Sequence, residues 1–223
     1  MLRLNNVTYK GKVGDALHNV TAKFDYGKFY MIIGATGSGK ATLTTLITGE
    51  LPVTGGEIRL NNAGINYYDQ KKLYQEIAVL RPKYNLFENL TPWENILDYQ
   101  KRHNQGIDFS KIKKLFTLVD FTEEKIHTKV KFLTMRERLQ CGMVKIFSCP
   151  TRLYLFCHPF RDIVDDELLE QFIELSNQVN LRHSCMIFLT DSYMILPKVD
   201  VVYGLNNGHL LYIRDVAKIE EQL

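Results

Sequence analysis

The sequence has no apolar run approaching the roughly 18 residues that a membrane helix needs, so no helical span is expected within it. It has little net charge. Its 28 Lys and Arg against 25 Asp and Glu leave +3, too little to argue for a nucleic-acid partner, and none is expected. It has no C-x-x-C pair. Cys141, Cys149, Cys157 and Cys185 lie in apolar surroundings and read as buried, reduced thiols of a cytosolic protein rather than as disulfides or metal ligands. It has no internal repeat and no low-complexity segment. Met1 to Asn5 alternates like an edge strand and does not have the pattern of a signal peptide.

What is present begins with Gly34-Ala35-Thr36-Gly37-Ser38-Gly39-Lys40-Ala41-Thr42. The apolar segment Lys28 to Ile33 before it reads as a buried strand. Leu43 to Gly49 after it has apolar residues at helical spacing and a glycine stop. Strand, glycine-rich turn, lysine and helix together make a phosphate-binding loop. The glycines let the backbone curl so that successive N–H groups point at an anion. The helix start adds its dipole, and Lys40 adds a point charge. Such a loop normally follows its lysine with Ser or Thr, whose hydroxyl holds Mg²⁺. Here that residue is Ala41, and Thr42 stands one step out of place.

At 223 residues the chain is long enough for one large α/β domain carrying a helical insert. Residues 1–9 and 18–30 read as strands around a loop, with Tyr9 ending the first. Tyr9 is either a base-stacking aromatic or an ordinary strand tyrosine. Glu57 to Leu60 is a short strand, followed by a turn at Asn61 to Gly64. A short helix ends at Glu76, and Ile77 to Leu80 is a strand. Thr91-Pro92-Trp93-Glu94 is a helix start, with Thr91 as cap, Pro92 first and Glu94 positioned for a capping box. Phe109, Ile112, Phe116 and Val119 mark the inner face of a further helix. Leu133 to Phe147 and Asp165 to Gln178 are helical, the latter with Leu168, Leu169, Phe172, Ile173 and Ser176 inward. Leu153 to Phe156, Met186 to Leu189 and Asp200 to Leu205 are buried strands. A turn at Asn206 to His209 leads to a last strand, and a short charged helix ends the chain. The alternation predicts an α/β fold of P-loop NTPase type, with a mostly parallel core sheet, an antiparallel N-terminal β subdomain and a helical subdomain at about 88–147 within one domain, 1–223.

The order of these elements resembles the ATP-binding subunit of an ABC transporter, nearest the lipoprotein-release and macrolide-export type. Tyr9 matches the base-stacking aromatic. Ala16 to Val20 and Gly27 match the run before the phosphate loop. Thr54 to Ile58 matches the strand after it. Tyr84-Asn85-Leu86-Phe87, with Leu90, Thr91, Glu94 and Asn95, is the most specific match, and Asp200 with Gly208 matches the tail. The resemblance implies a nucleotide site at Tyr9, Gly34, Gly37, Ser38, Gly39, Lys40, Ala41 and Thr42. It implies a membrane permease as partner, a second ATP-binding subunit in a homo- or heterodimer, and a place on the cytoplasmic face of the membrane.

The chain departs from the family at the positions that do chemistry. Pro82 stands where a Gln carries metal and water. Leu133-Thr134-Met135-Arg136-Glu137 replaces the signature L-S-G-G-Q and lacks both glycines. Cys157 and His158 stand where an Asp and a Glu hold Mg²⁺ and polarise water. Asp191 replaces a His that meets the γ-phosphate, and Val164 replaces an interface Asp, with Asp165 next to it. The spacing from Leu133 to Pro159 supports that register. A carboxylate at Asp191 opposes a triphosphate by about 4 kcal/mol at about 4 Å, before screening. The resemblance therefore implies a degenerate subunit that binds ATP weakly or not at all, serves Mg²⁺ poorly and is impaired in hydrolysis. In a head-to-tail dimer these losses fall on both composite sites. Two alternatives stay open. One is an active ATPase in which Thr42, His158 and Asp165 take over. The other is a soluble regulatory or structural protein with no permease.

Overall fold

In the computed structural model, which describes residues 1–11, 16–81, 84–104, 106–160, 166–191 and 199–215, burial separates two kinds of strand. The chain runs β1 (Leu2–Lys10), β2 (Ala16–Phe24), β3 (Phe29–Ile33), α1 (Lys40–Ile47), β4 (Gly55–Leu60), β5 (Ala63–Gly64), α2 (Gln70–Glu76) and β6 (Ile77–Leu80). It continues through α3 (Pro92–Arg102), α4 (Phe109–Thr117), α5 (Glu123–Ile126), α6 (Met135–Ser148), β7 (Leu153–Cys157), α7 (Asp166–Asn177), β8 (Cys185–Thr190), β9 (Val201–Asn206) and β10 (His209–Asp215). Two compact units result. The first holds residues 1–77, 152–158 and 181–223, and the second holds 78–151 and 159–180.

The first unit carries two sheets. One is antiparallel, in the order β2-β1-β4-β5. In β1, Leu2, Leu4 and Val7 are buried while Arg3 and Asn6 are exposed, the alternation of a sheet with one wet face. The other sheet runs β10-β9-β3-β8-β7, with β9, β3, β8 and β7 parallel and β10 antiparallel on β9. β3, β7 and β8 are buried along their whole length, as parallel strands covered on both faces must be. The parallel core, the antiparallel start and the helical stretch agree with the fold expected from the sequence. The single strand expected over 18–30 does not form. β2 stops at Phe24, the chain turns through Gly27 at φ +81°, and β3 begins at Phe29. The new strand is anchored where the Phe29 N–H donates to Asp200 Oδ2 at 2.7 Å.

The second unit is mainly helical. Thr91 caps α3 as its sequence predicts: Glu94 N–H donates to Thr91 Oγ1 at 3.2 Å, and Thr91 N–H donates to Glu94 Oε2 at 2.8 Å. Asn95 then binds both backbone groups of Phe87, accepting from its N–H at 2.8 Å and donating to its C=O at 3.1 Å. In α4, Ile112 and Phe116 are buried, but Phe109 turns outward and stacks on Trp93 at 5.8 Å. A neighbouring aromatic on α3 offers Phe109 a ring partner at the surface, so it does not need the core. In α7, Leu168, Phe172 and Ser176 are buried, whereas Leu169 and Ile173 are only half-buried. Asp165 and Val164, the expected C-terminal charged helix and most of the first loop lie outside the described residues. All four cysteines are buried and unbridged. Among the described residues, no helix is long and apolar enough to cross a membrane.

Candidate nucleotide-binding site

The carboxyl ends of parallel strands lie on one edge of their sheet, where open α/β folds bind ligands. Three features meet this condition in the first unit. The 34–39 loop leaves β3, His158 follows β7, and Asp191 follows β8. The loop is fixed on both sides. Gly34 N–H donates to Thr190 C=O at 3.1 Å, and Gly208 N–H donates to Ser38 C=O at 3.1 Å. A Cβ at Gly34 would lie 2.2 Å from Leu205 C=O, so only glycine fits there. Gly39 sits at φ +107° as the residue capping α1, and supplies no side-chain cap. The first amides of α1 are therefore left to an incoming acceptor.

Lys40 begins α1 and is only 3% exposed. Its ammonium folds back over the loop and donates to Gly34 C=O, to Ala35 C=O at 2.8 Å and to Ser38 Oγ at 3.2 Å. The cation and the backbone concavity thus occupy one place. A phosphate could exchange for the carbonyls that Lys40 now holds. Ser38 is buried, Ala41 is exposed and Thr42 is half-buried. Tyr9 is half-buried and lies opposite Leu17 across β1 and β2, and Leu17 Cδ2 is the atom nearest to a Cβ built on Gly39. The sequence-predicted aromatic is therefore on the strand next to the loop.

The structure also brings together a pair that residue order did not reveal. Thr44 Oγ1 lies 2.8 Å from Cys157 Sγ, both buried, and donates to Lys40 C=O at 3.0 Å. Thr44 is one helical turn beyond Lys40, so it shares the inner face of α1. That spacing was the available signal. Next in the chain, His158 adopts φ +44°, a left-handed conformation that few residues other than glycine adopt and that histidine, asparagine and aspartate tolerate best. Its N–H donates to Leu189 C=O at 2.9 Å, and its Nδ1 lies 3.6 Å from Asp191 Oδ1. Asp191, read above as a bare charge facing a triphosphate, thus has an imidazole beside it. Cys157 and His158 serve different partners, as consecutive strand-end residues do. Pro82 lies outside the described residues.

Mg²⁺ takes hard oxygen donors. Ala41 offers a methyl group and Cys157 a thiol already engaged with Thr44. This donor set does not fit that ion.

The signature position belongs to the second unit. Thr134 caps α6 in a complete box with Glu137: Thr134 N–H donates to Glu137 Oε2 at 2.8 Å. Lys125 Nζ holds the other Glu137 oxygen at 2.6 Å, and Arg136 pairs with Glu167 at 2.8 Å. Burial works against ionisation of Glu137, but its hydrogen bonds from Lys125 and Thr134 outweigh that and hold the carboxyl below the usual range.

The sequence pattern of the family described as ABC transporter matches residues 17–161. The chain belongs to that family. It is 26% identical over 201 residues to the thiamine import ATP-binding protein ThiQ of Histophilus somni, covering 85% of this chain and 91% of that protein. It is 27% identical over 225 residues to the choline transport ATP-binding protein OpuBA of Bacillus subtilis, covering 96% of this chain. This ABC chain spans only 57% of that relative's length. Its fold superposes, with a TM-score of 0.81 and 20% identity, on a dimeric post-hydrolysis structure of the ATP-binding cassette MJ0796 bound to ADP and Pi, covering 96% of this chain and 99% of that one. At that identity the likeness is one of fold.

Proposed function

We propose that this chain is a degenerate ATP-binding subunit of an ABC transporter, which holds nucleotide weakly through its 34–40 loop and hydrolyses it poorly. Tyr9 would stack on the base. The backbone around Gly34, Gly37, Ser38 and Gly39 would bind the phosphates, with Lys40 turning from the loop carbonyls to them and Ala41 and Thr42 flanking the α1 amides. It would work at the cytoplasmic face of a membrane, docked on a permease and paired with a second ATP-binding subunit. The run Tyr84 to Asn95 supports the lipoprotein-release or macrolide-export type. The relatives named for thiamine import and choline transport share about a quarter of their residues with it and support no substrate for this chain.

The observation that carries impaired hydrolysis is the Thr44–Cys157 contact at 2.8 Å beside Ala41. Phosphoryl transfer depends on placed charge and a placed water rather than on covalent help from the protein. Here a thiol and a methyl group stand where oxygen ligands are needed. The test is a nucleotide-binding and turnover assay on the purified chain. Weak binding that disappears in Lys40→Ala, with turnover near background, is expected. Mg²⁺-dependent turnover comparable to ordinary family members, abolished by Lys40→Ala, would overturn the proposal.

One observation favours an active ATPase instead. His158 Nδ1 and Asp191 Oδ1 lie 3.6 Å apart at adjacent strand ends, and an imidazole beside a carboxylate is suited to general-base work. Turnover that survives in the purified chain and falls in both His158→Ala and Thr42→Ala would establish that alternative.

A further inference from the structure

Two consecutive residues after β6 have left-handed backbones: Tyr84 at φ +56° and Asn85 at φ +49°. Asparagine visits this region readily. A bulky aromatic does not, and keeps such a conformation only where its surroundings impose it. α6 imposes it here. Gly142 faces the turn so closely that a Cβ on it would lie 2.8 Å from Tyr84 Cβ. One turn further along α6, Lys145 Nζ donates to Tyr84 C=O at 3.0 Å and to Asn85 C=O. Both carbonyls of the left-handed pair therefore converge on one ammonium. Lys145 is 5% exposed, and no ion pair joins it to a carboxylate among the described residues.

The other groups around this ammonium lie on α3 and α6. Its remaining side faces the ring of Tyr99 at 5.7 Å, which attracts a cation weakly. Tyr99 in turn packs on His103 at 4.1 Å. His103 stays neutral because burial, reinforced by the Lys145 charge, pushes its pKa down to about 4. Cys141 stays a thiol, its pKa pushed up by burial to about 12. Asp98 attracts the ammonium from α3 and Arg102 repels it. No nearby group supplies a full counter-charge, so burial pushes the pKa of Lys145 down to about 8. The Lys145 side chain is thus a buried cation bound almost entirely by backbone oxygen.

We propose that Lys145 is the positioning residue of the 84–87 turn, and that its ammonium is a proton-dependent lock on that turn. While charged, it makes charge-assisted bonds to both carbonyls and holds the left-handed pair. When it loses its proton it can still donate twice, but through neutral bonds about half as strong. The turn then loosens on the Lys145 side and keeps its Asn95 attachment at Phe87. Because α6 begins at the Thr134 cap and carries Lys145 further along, a displacement of that helix would be passed directly to the turn. This inference concerns only the second unit and does not depend on how the chain treats nucleotide.

Amide hydrogen exchange on the full chain tests it. Protection over residues 84–88 is measured at about pH 6.5 and about pH 9.5, each corrected for its intrinsic rate. In the wild type, protection is expected to fall roughly tenfold at the higher pH, while that of β3 stays constant. Lys145→Met, which keeps the volume but has no donor, should show low protection at both values. Lys145→Arg, charged throughout, should retain protection at both. Equal wild-type protection at the two pH values, or full protection in Lys145→Met, would overturn the proposal. Should the variants fail to fold, the Lys145 ε-carbon resonance in the wild type decides. A titration that moves together with the Tyr84 and Asn85 amide shifts supports the lock, and amide shifts that stay flat through it remove the lock.

Discussion

Two loops in this molecule are each held by a buried lysine that donates to backbone carbonyls, one in each unit. Lys40 holds Gly34 and Ala35, and Lys145 holds Tyr84 and Asn85. The chemistry is the same and the surroundings differ. Lys40 stands at a helix start, where glycine has left the first amides uncapped and the helix dipole favours an anion. Lys145 lies in the last turn of α6 against the ring of Tyr99, away from any helix start. The first lysine is placed to exchange its carbonyls for an anion and the second to hold its turn. The two helix starts repeat the contrast. That of α1 is open, whereas that of α6 is closed by its own Thr134 and Glu137 and by Lys125.

The largest expected effect breaks the first loop. Gly34→Ala puts a methyl group against Leu205 C=O and should lower stability by about 3 kcal/mol, read as a urea midpoint shift. A comparable effect is expected at Lys145 when pH is varied. The pKa of Lys145 is lower in the folded chain, about 8, than its usual value of 10.5. Between those values the unfolded chain holds the extra proton, so wild-type stability should rise with pH across that window. Below about 8 both states are protonated and the cost of burying the charge is present in full. Relative to Lys145→Met, the total rise should be on the order of 3 kcal/mol by denaturant titration. Global stability and the local hold on the turn therefore move in opposite directions with pH.

Lys40→Ala should weaken nucleotide binding by about 10- to 100-fold, the worth of a charged hydrogen-bonding group, as measured by titration calorimetry. The same substitution at Lys145 should leave nucleotide affinity nearly unchanged in any variant that folds. Thr134→Ala removes the α6 cap and should cost about 1 kcal/mol in stability. The smallest effect is expected at the exposed Lys72–Asp69 pair. There Lys72→Ala should stay within about 0.5 kcal/mol, setting the scale against which both buried lysines stand out.

Local rules carried the sequence a long way. Thr91 and Glu94 form the capping box their spacing predicts, because that motif closes within four residues. The strand–glycine–lysine–helix order of the loop was readable for the same reason. Phe109 was misplaced because periodicity marks an apolar residue without saying whether a neighbouring ring, here Trp93, will satisfy it at the surface. The end of β2 was missed because residues 18–30 offer apolar residues on both sides of Gly27, and the break depends on Asp200 accepting from the start of β3.

The candidate site divides in the same way. The sequence by itself determined which atoms are available: a lysine and glycines at the loop, no hydroxyl at Ala41, a thiol at Cys157, an imidazole at His158 and a carboxylate at Asp191. These are facts of composition at fixed positions, and no folding can add an oxygen to Ala41. Only the tertiary structure decided which of them meet. Thr44 reaches Cys157, and Lys145 reaches the turn more than fifty positions before it, because hydrogen bonds act over about 3 Å of space whatever the distance along the chain; the same folding brings His158 to 3.6 Å from Asp191.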